Sequence, residues 1–269
     1  MRTILIAFLI TLGVAGSIEA NENITVGMLI DSVLAARQRQ VDAVKDMTFD
    51  AVFYERRTDK DGNISEEKKY EKRIFVKQIN DSFYIHQQYR TFYLDGVRQP
   101  RELLVAEVEK KQEERKKRGG RDFTYDLTIP LQMLYTGMYD VSYKGITKEK
   151  IEGHICYKLY ADAREKNDTL INCMYYVDTT SYNLVRVDFS PAKLVSKFMF
   201  KLKELDMRIN YQKYDSAIWI PRRFELLGKG KAAFFVGVYF QSEETYINPV
   251  VNSGLDDSIF ESRVSVEDI

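Results

Sequence analysis

The sequence predicts an α+β fold, mainly β: one amphipathic helix near the N-terminus, then antiparallel strands. Three observations carry this expectation. Aromatic residues are abundant, with 15 Phe, 18 Tyr and one Trp in 269 positions, and aromatics favour pleated, half-buried surfaces. The apolar period changes from helical before about residue 45 to alternating after it. Asp-Gly steps at Asp61-Gly62 and Asp95-Gly96 punctuate the alternating runs, as hairpin turns do. Hydrophobic residues make up 45%, enough for a sizeable core, and 40 basic residues cancel 40 acidic ones. That balance argues against a nucleic-acid binder, because neutralising many phosphates needs excess Lys and Arg.

In chain order, Arg2, the short apolar run Ile4–Val14 and the small residues Ala15, Gly16 and Ala20 read as a secretory signal at 1–20. Cleavage after Ala15 and after Ala20 are both open. No cysteine stands near either point for lipidation, and no later window is long and apolar enough to span a membrane. The mature chain, 21–269, is expected to be one exported domain without a transmembrane segment. From Thr25 to about Lys45, Val26, Leu29, Val33, Val41 and Val44 recur near helical spacing, with Thr25 as N-cap. Alternation then predicts strands over Thr48–Arg57, Glu67–Gln78 and Ser82–Leu94.

Arg101–Arg118 is rich in helix formers and charge; Arg101–Arg121 holds eight basic and five acidic residues, and Gly119-Gly120 ends the segment. This helical insertion at about 101–120 reads as a solvated helix or as a docking arm for an acidic surface. A short apolar piece at Pro130–Leu134 predicts one or two helical turns. From Tyr139 onward the pattern is strand and turn. In Lys197–Glu204, Phe198, Phe200 and Leu202 share a face, after which the apolar parity moves to Met207, Ile209 and Tyr211. That switch needs one extra residue, hence a bulge near Glu204-Leu205. Lys231–Tyr246 reads as a single long strand with Phe234, Val236, Val238 and Phe240 on one face.

Cys156 and Cys173 lie on two alternating runs. A hairpin centred between Arg164 and Glu165 sets them opposite one another, which in an oxidising compartment predicts a disulfide; two buried thiols are the alternative. Catalytic machinery is not visible. Asp59, Asp61 and Asn63 resemble the start of a calcium loop, but Ile64 and Tyr70 occupy the places of its glycine and its bidentate acid. Gly228-Lys-Gly230 runs into a strand-like segment rather than a helix, so it reads as a turn and not a dinucleotide fingerprint. His86 and His154 are far apart and read as ordinary strand residues. We expect no enzyme, no metal and no cofactor.

Particular stretches resemble the LolA/LolB-like superfamily of lipoprotein carriers and lipoprotein-sorting proteins. Tyr175–Phe189 is similar to its Tyr-x-Asp strand-turn-strand, Tyr214, Trp219 and Pro221 to its Tyr…Trp-x-Pro segment, and Gly153–Tyr157 to its Gly-x-x-Cys-Tyr entry strand. The likeness covers roughly residues 24–260. It implies a strongly curved, incomplete antiparallel β-barrel, with the N-terminal amphipathic helix and short helices covering the open side. It also implies a periplasmic location and an apolar concave face holding acyl chains of lipids or lipoproteins. On that reading the chain is a monomeric lipoprotein carrier or chaperone. The residues expected to line the cavity are Phe49, Phe53, Phe198, Phe200, Leu202, Phe234, Val236, Val238 and Phe240. The alternative is an envelope sensor of RseB type, without a transport role, which docks on envelope membrane proteins through the charged helix 101–118.

Overall fold

The computed structural model describes residues 24–79, 82–117, 131, 133–134, 137–167, 169–194, 196–197, 200–215, 218–232 and 236–267. The predicted signal, Phe198, Phe234, Pro130 and the end of the charged insertion lie outside these residues.

Helix α1 (Val26–Ala43) starts where the capping residue requires. The Thr25 hydroxyl accepts from the Met28 N–H at 3.2 Å, satisfying a donor that the first turn leaves open. Its buried stripe of Leu29, Val33, Ala36 and Gln40 follows the helical period. Strands β1 (Asp46–Thr58), β2 (Ile64–Ile79) and β3 (Ser82–Leu94) form successive antiparallel hairpins. At the first turn, the Asp59 carboxylate accepts from the N–H groups of Asp61 and Asn63, and Gly62 supplies φ +88°. Asp95 and Gly96 both take positive φ and lead into the short β4 (Val97–Arg98). The charged segment forms helix α2 (Arg101–Lys117).

The second half of the chain supplies β5 (Tyr139–Ile146), β6 (Cys156–Ala163), β7 (Ile171–Asp178), β8 (Leu184–Pro191), β9 (Ser196–Lys197), β10 (Phe200–Lys213), β11 (Trp219–Ala232), β12 (Val236–Val251) and β13 (Val264–Val266). Among the described residues these strands make one open sheet. Its order is β13-β3-β2-β1-β12-β11-β10-β8-β7-β6-β5, with β4 on β3 and β9 on β10. The sheet does not close into a barrel, as expected for an incomplete one. The late strands β10–β12 insert between β1 and β8, so they form the middle of the sheet. One pair breaks the antiparallel rule: β13 runs parallel to β3. The chain leaves β12 antiparallel to β1, turns through a 3-10 segment at Asp257–Glu261, and runs back in the direction of β3. His86 fixes this return, with Nδ1 2.7 Å from the Ser262 carbonyl and Nε2 2.8 Å from the Ser265 hydroxyl.

Three sequence expectations need correction. The predicted disulfide is absent: Cys156 and Cys173 are free, buried thiols. The hairpin turns about Asn167, whose side-chain oxygen accepts from the N–H groups of Thr169 and Leu170. Cys156 therefore pairs with Asp178, and Cys173 with Ala161, five positions along β6. That separation is about 17 Å along a strand, against about 7 Å at most between bridgeable Cα atoms. The odd offset also points the two side chains to opposite faces. Burial pushes both thiols up to about 12, with Asp178 adding to the effect on Cys156. Native protein is therefore expected to resist alkylation near about pH 8 and to yield two thiols on unfolding. A native disulfide, seen by mass before reduction, would contradict this register.

Lys231–Tyr246, read as one strand, is instead the meeting of β11 and β12: Ala232 pairs with Val236, and residues 233–235 lie outside the described residues. The glycines read as a turn lie inside β11. The expected bulge is present, with the β10–β11 register slipping between Leu202 and Glu204. That slip restores Leu205, Met207, Ile209 and Tyr211 to the face occupied by Leu202.

Candidate functional site

Directly paired residues of neighbouring strands point to the same side of a sheet. Tyr70 pairs with Phe53, Phe53 with Glu244, Glu244 with Phe224, and Phe224 with Ile209. From Ile209 the row continues through Val187 and Tyr175 to Leu159. Helix α1 packs on Leu159, Tyr175 and Val187 through Leu29 and Val33. Helix α2 packs on Tyr70, Tyr89 and Phe92 through Leu104 and Val108. Both helices therefore cover the same face, at different places along the sheet.

Under α1 the packing is almost complete: the space left between Val33, Leu131, Tyr211 and Trp219 is about 10 Å³. A second filled cluster gathers Met47, Phe49, Ile74, Val76, Ile220 and Tyr246 on the central strands. Under α2 the contact mixes apolar and ionic parts. Tyr70 stacks on Phe92 at 5.0 Å between ring centroids, and the Lys111 ammonium lies 4.5 Å from the Tyr70 centroid. Lys111 also pairs with Glu55 at 2.7 Å, and Glu107 pairs with Lys68 at 3.1 Å while accepting from the Tyr70 hydroxyl. Burial, with Glu55 and Glu107 nearby, raises the Tyr70 hydroxyl far above its ordinary range, so it stays a donor.

Between these covered regions lie three cross-strand rows on the same face. Leu202, Gly230 and Val238 form one, Leu205, Gly228 and Phe240 the next, and Met207, Leu226 and Ser242 the third. Two glycines in the middle strand, flanked by leucines on β10 and by Val238 and Phe240 on β12, give a strip without side chains in its middle, here termed the trough; both glycines are buried. The ring of Phe240 folds over Gly228: a Cβ there would stand 2.1 Å from the ring. No larger residue fits without displacing that ring. Leu202, Leu205, Leu226, Val238 and Phe240 belong to none of the three clusters formed by the described residues. Phe240 and Ser242 also border a cavity of about 250 Å³ under α2, whose other walls include Arg57, Lys68, Glu107 and Lys111. The apolar strip thus lies beside a charged cavity at Phe240 and Ser242.

The opposite face is different in kind. There a run of alternating charges crosses the sheet, Arg186–Asp188–Arg208–Glu225–Arg223–Glu243–Arg56–Glu67, with separations of 2.6 to 3.9 Å. A groove of about 500 Å³ has Met174 and Leu227 among these charges, and Phe189, Met207, Leu226 and Ser242 also border it, so it reaches the edge of the third row. Apolar cargo would have to strip water from the charges, an unfavourable exchange.

The residues singled out in sequence divide as follows. Phe53, Leu202, Val236, Val238 and Phe240 fall on the helix-bearing face by register. Val236 is exposed, Val238 and Phe240 are half-buried, and Leu202 is buried. Phe53 packs under α2 beside Tyr70. Phe49 is enclosed in the second cluster, 5.8 Å from the Tyr246 ring. Phe200 shares their register, but its side chain, like Phe198 and Phe234, is outside the described residues. Leu205, Leu226 and the glycine floor were missed. The available signal was the spacing of Gly228 and Gly230, since two glycines two apart in a strand open one face.

Among the described residues no group of three His, Cys, Asp or Glu side chains is placed to hold a metal, and no helix is long and apolar enough to cross a membrane. His154 sits 3.0 Å from Asp178 and 5.0 Å from the Trp219 ring. Ser181, nearby, gives its hydroxyl to Asp178.

No protein-family profile matches the chain, and no curated protein matches its sequence. Solved structures that it resembles include lipoprotein-sorting and LolA-superfamily proteins. A domain assigned to outer membrane lipoprotein sorting, from Vibrio parahaemolyticus, is 13% identical at TM-score 0.45, covering 88% of this chain and 97% of that one. A DUF1329 family protein from Desulfovibrio piger is 14% identical at TM-score 0.40, covering 88% and 97%. A LolA superfamily protein from Nitrosomonas europaea is 14% identical at TM-score 0.34, covering 89% and 98%. At such identities and TM-scores these likenesses decide nothing about what the chain binds.

Proposed function

We propose that this chain is an exported, periplasmic binding protein that carries or chaperones lipids or lipoproteins by burying acyl chains in the trough. The observation that carries the reading is the glycine-floored, apolar strip between two helix-covered regions of one sheet face. Each CH₂ taken out of water there contributes about 0.8 kcal/mol, so a chain of ten or so buried methylenes needs no polar recognition to bind. Leu202, Leu205, Leu226, Val238 and Phe240 line the run, with Phe53 at the α2 end. The reading requires no catalytic group, and α2 acts as the cover. Saturable uptake of a fluorescent fatty acid by purified mature protein, competed by unlabelled acyl chains, is the expected result. No uptake, together with a bare protein mass from an envelope fraction, would count against it.

The cover is expected to be acid-sensitive. Burial alone would raise the Glu107 carboxyl, but Lys68, Lys110 and the Tyr70 hydroxyl more than offset this and hold it below its ordinary 4.5. A carboxyl depressed on folding stabilises fully above its unfolded value and loses that contribution as pH falls through its folded one. Hydrogen-exchange protection of α2 is therefore expected to drop below about pH 4.5, ahead of β1 and β2. Glu107→Gln should abolish that step. Simultaneous loss in α2 and the strands would show that the helix is not a separate cover.

A further inference from the structure

Beside the first turn of α2 lies a second cavity, of about 230 Å³, which shares no lining residue with the cavity at Phe240. Arg90, Arg98 and Arg101 bound it together with Thr91, Phe92 and Leu104, and no carboxylate is among its walls. Two of the three guanidinium groups are held in place from outside. Arg90 is fixed by Asp50 at 2.9 Å and by Glu267 at 3.2 Å, and Arg101 donates to the main-chain carbonyl of Glu267 at 2.6 Å. Burial would raise the Asp50 carboxyl, but the Asn248 amide with Arg73 and Arg90 more than offsets it, so its anchoring charge is secure. Arg98, on the exposed β4, also borders the cavity; its charge acts on Glu71 behind Thr91, which donates to that carboxylate at 2.8 Å. Phe92 and Leu104 are buried and bring no counter-charge. The first turn of a seventeen-residue helix adds its positive pole.

We propose that this cavity binds a phosphate group. Planar guanidinium forks match phosphate oxygens two at a time, and three arginines bordering one cavity, with Arg90 already held by Asp50 and Glu267, suit a tetrahedral anion better than a flat carboxylate. The volume exceeds that of the bare anion, leaving room for the group that bears it. The site stands independently of acyl binding, because its walls and the trough have no residue in common.

The test is calorimetric titration of the mature protein with inorganic phosphate, glycerol 3-phosphate and monomeric short-chain phosphatidic acid. Binding of at least one of the three is expected. Equal affinity for inorganic phosphate and the lipid identifies free phosphate as the ligand source, and tighter lipid binding identifies a headgroup. Arg98→Gln should weaken the interaction by about tenfold or more, the loss of one charge-assisted contact. Arg98→Lys, which keeps the charge but not the fork, should lose less, and Lys150→Gln on a remote loop should lose nothing. Far-UV spectra and Tm establish that the variants are folded. Absence of binding to all three compounds, or an equal loss in Lys150→Gln, overturns the proposal.

Discussion

Lys72→Met is expected to lower folding stability by about 3–5 kcal/mol. Lys72 and Glu244 are 4% and 5% exposed and pair at 2.7 Å in the middle of the helix-bearing face. The Lys72 ammonium also donates to the Gln87 side chain at 2.8 Å and lies 5.1 and 5.3 Å from the Phe53 and Tyr89 centroids. Removing it takes the ammonium away from the buried Glu244 carboxylate, which also accepts from the Tyr246 hydroxyl at 3.1 Å. Most of the cost is the carboxylate kept buried without its ammonium and not the value of the pair, since a well-packed neutral pair is often no less stable. Lys72→Met combined with Glu244→Gln, which still accepts from Tyr246, should therefore recover most of the loss. Urea denaturation measures both. A double variant as unstable as the single one would show that the ammonium acts through its aromatic neighbours instead.

Phe240→Asp is expected to remove acyl binding while leaving the fold intact. Phe240 is half-buried, belongs to none of the three packed clusters of described residues and closes the trough over Gly228. A carboxylate there meets either water or cargo, and desolvating it for cargo costs several kcal/mol. That corresponds to a loss of affinity of a hundredfold or more, since about 1.4 kcal/mol is a factor of ten. Leu226→Asp, in the adjacent row, should behave alike. Leu227→Asp, the next residue but on the opposite face, should bind normally. Uptake titrations with circular dichroism separate these cases. A Leu227 variant as defective as Leu226 would remove the distinction between faces on which the proposed function rests.

Much of the first half of the fold was legible because its signals are local. Thr25 and the apolar stripe announce α1, and the Asp-Gly steps place the β1–β2 and β3–β4 turns. The switch of parity after Leu202 announced the bulge to within two residues. What failed was register wherever the turn lacks a marker. Residues 233–235, Ala-Phe-Phe, contain no turn former, so β11 and β12 looked continuous and the in-strand glycines took the turn's place. At Asn167 the turn is made by a side-chain oxygen, and a symmetric guess between Arg164 and Glu165 put the cysteines opposite each other. The trough needed both pieces of information at once. Gly228 matters because Phe240 lies across from it, a relation between strands that alternation alone does not contain. The buried Lys72 and the ionic seat of α2 were equally hidden, since charges in alternating runs read as solvent-facing.

Photo-crosslinking with a diazirine-bearing fatty acid, followed by peptide mapping, tests the central assignment most directly. Adducts are expected on the helix-bearing positions of β10, β11 and β12, at Leu202, Leu205, Leu226, Val238 and Phe240. Adducts at Met174 and Leu227 on the opposite face, or saturable binding with none in the trough, would contradict it.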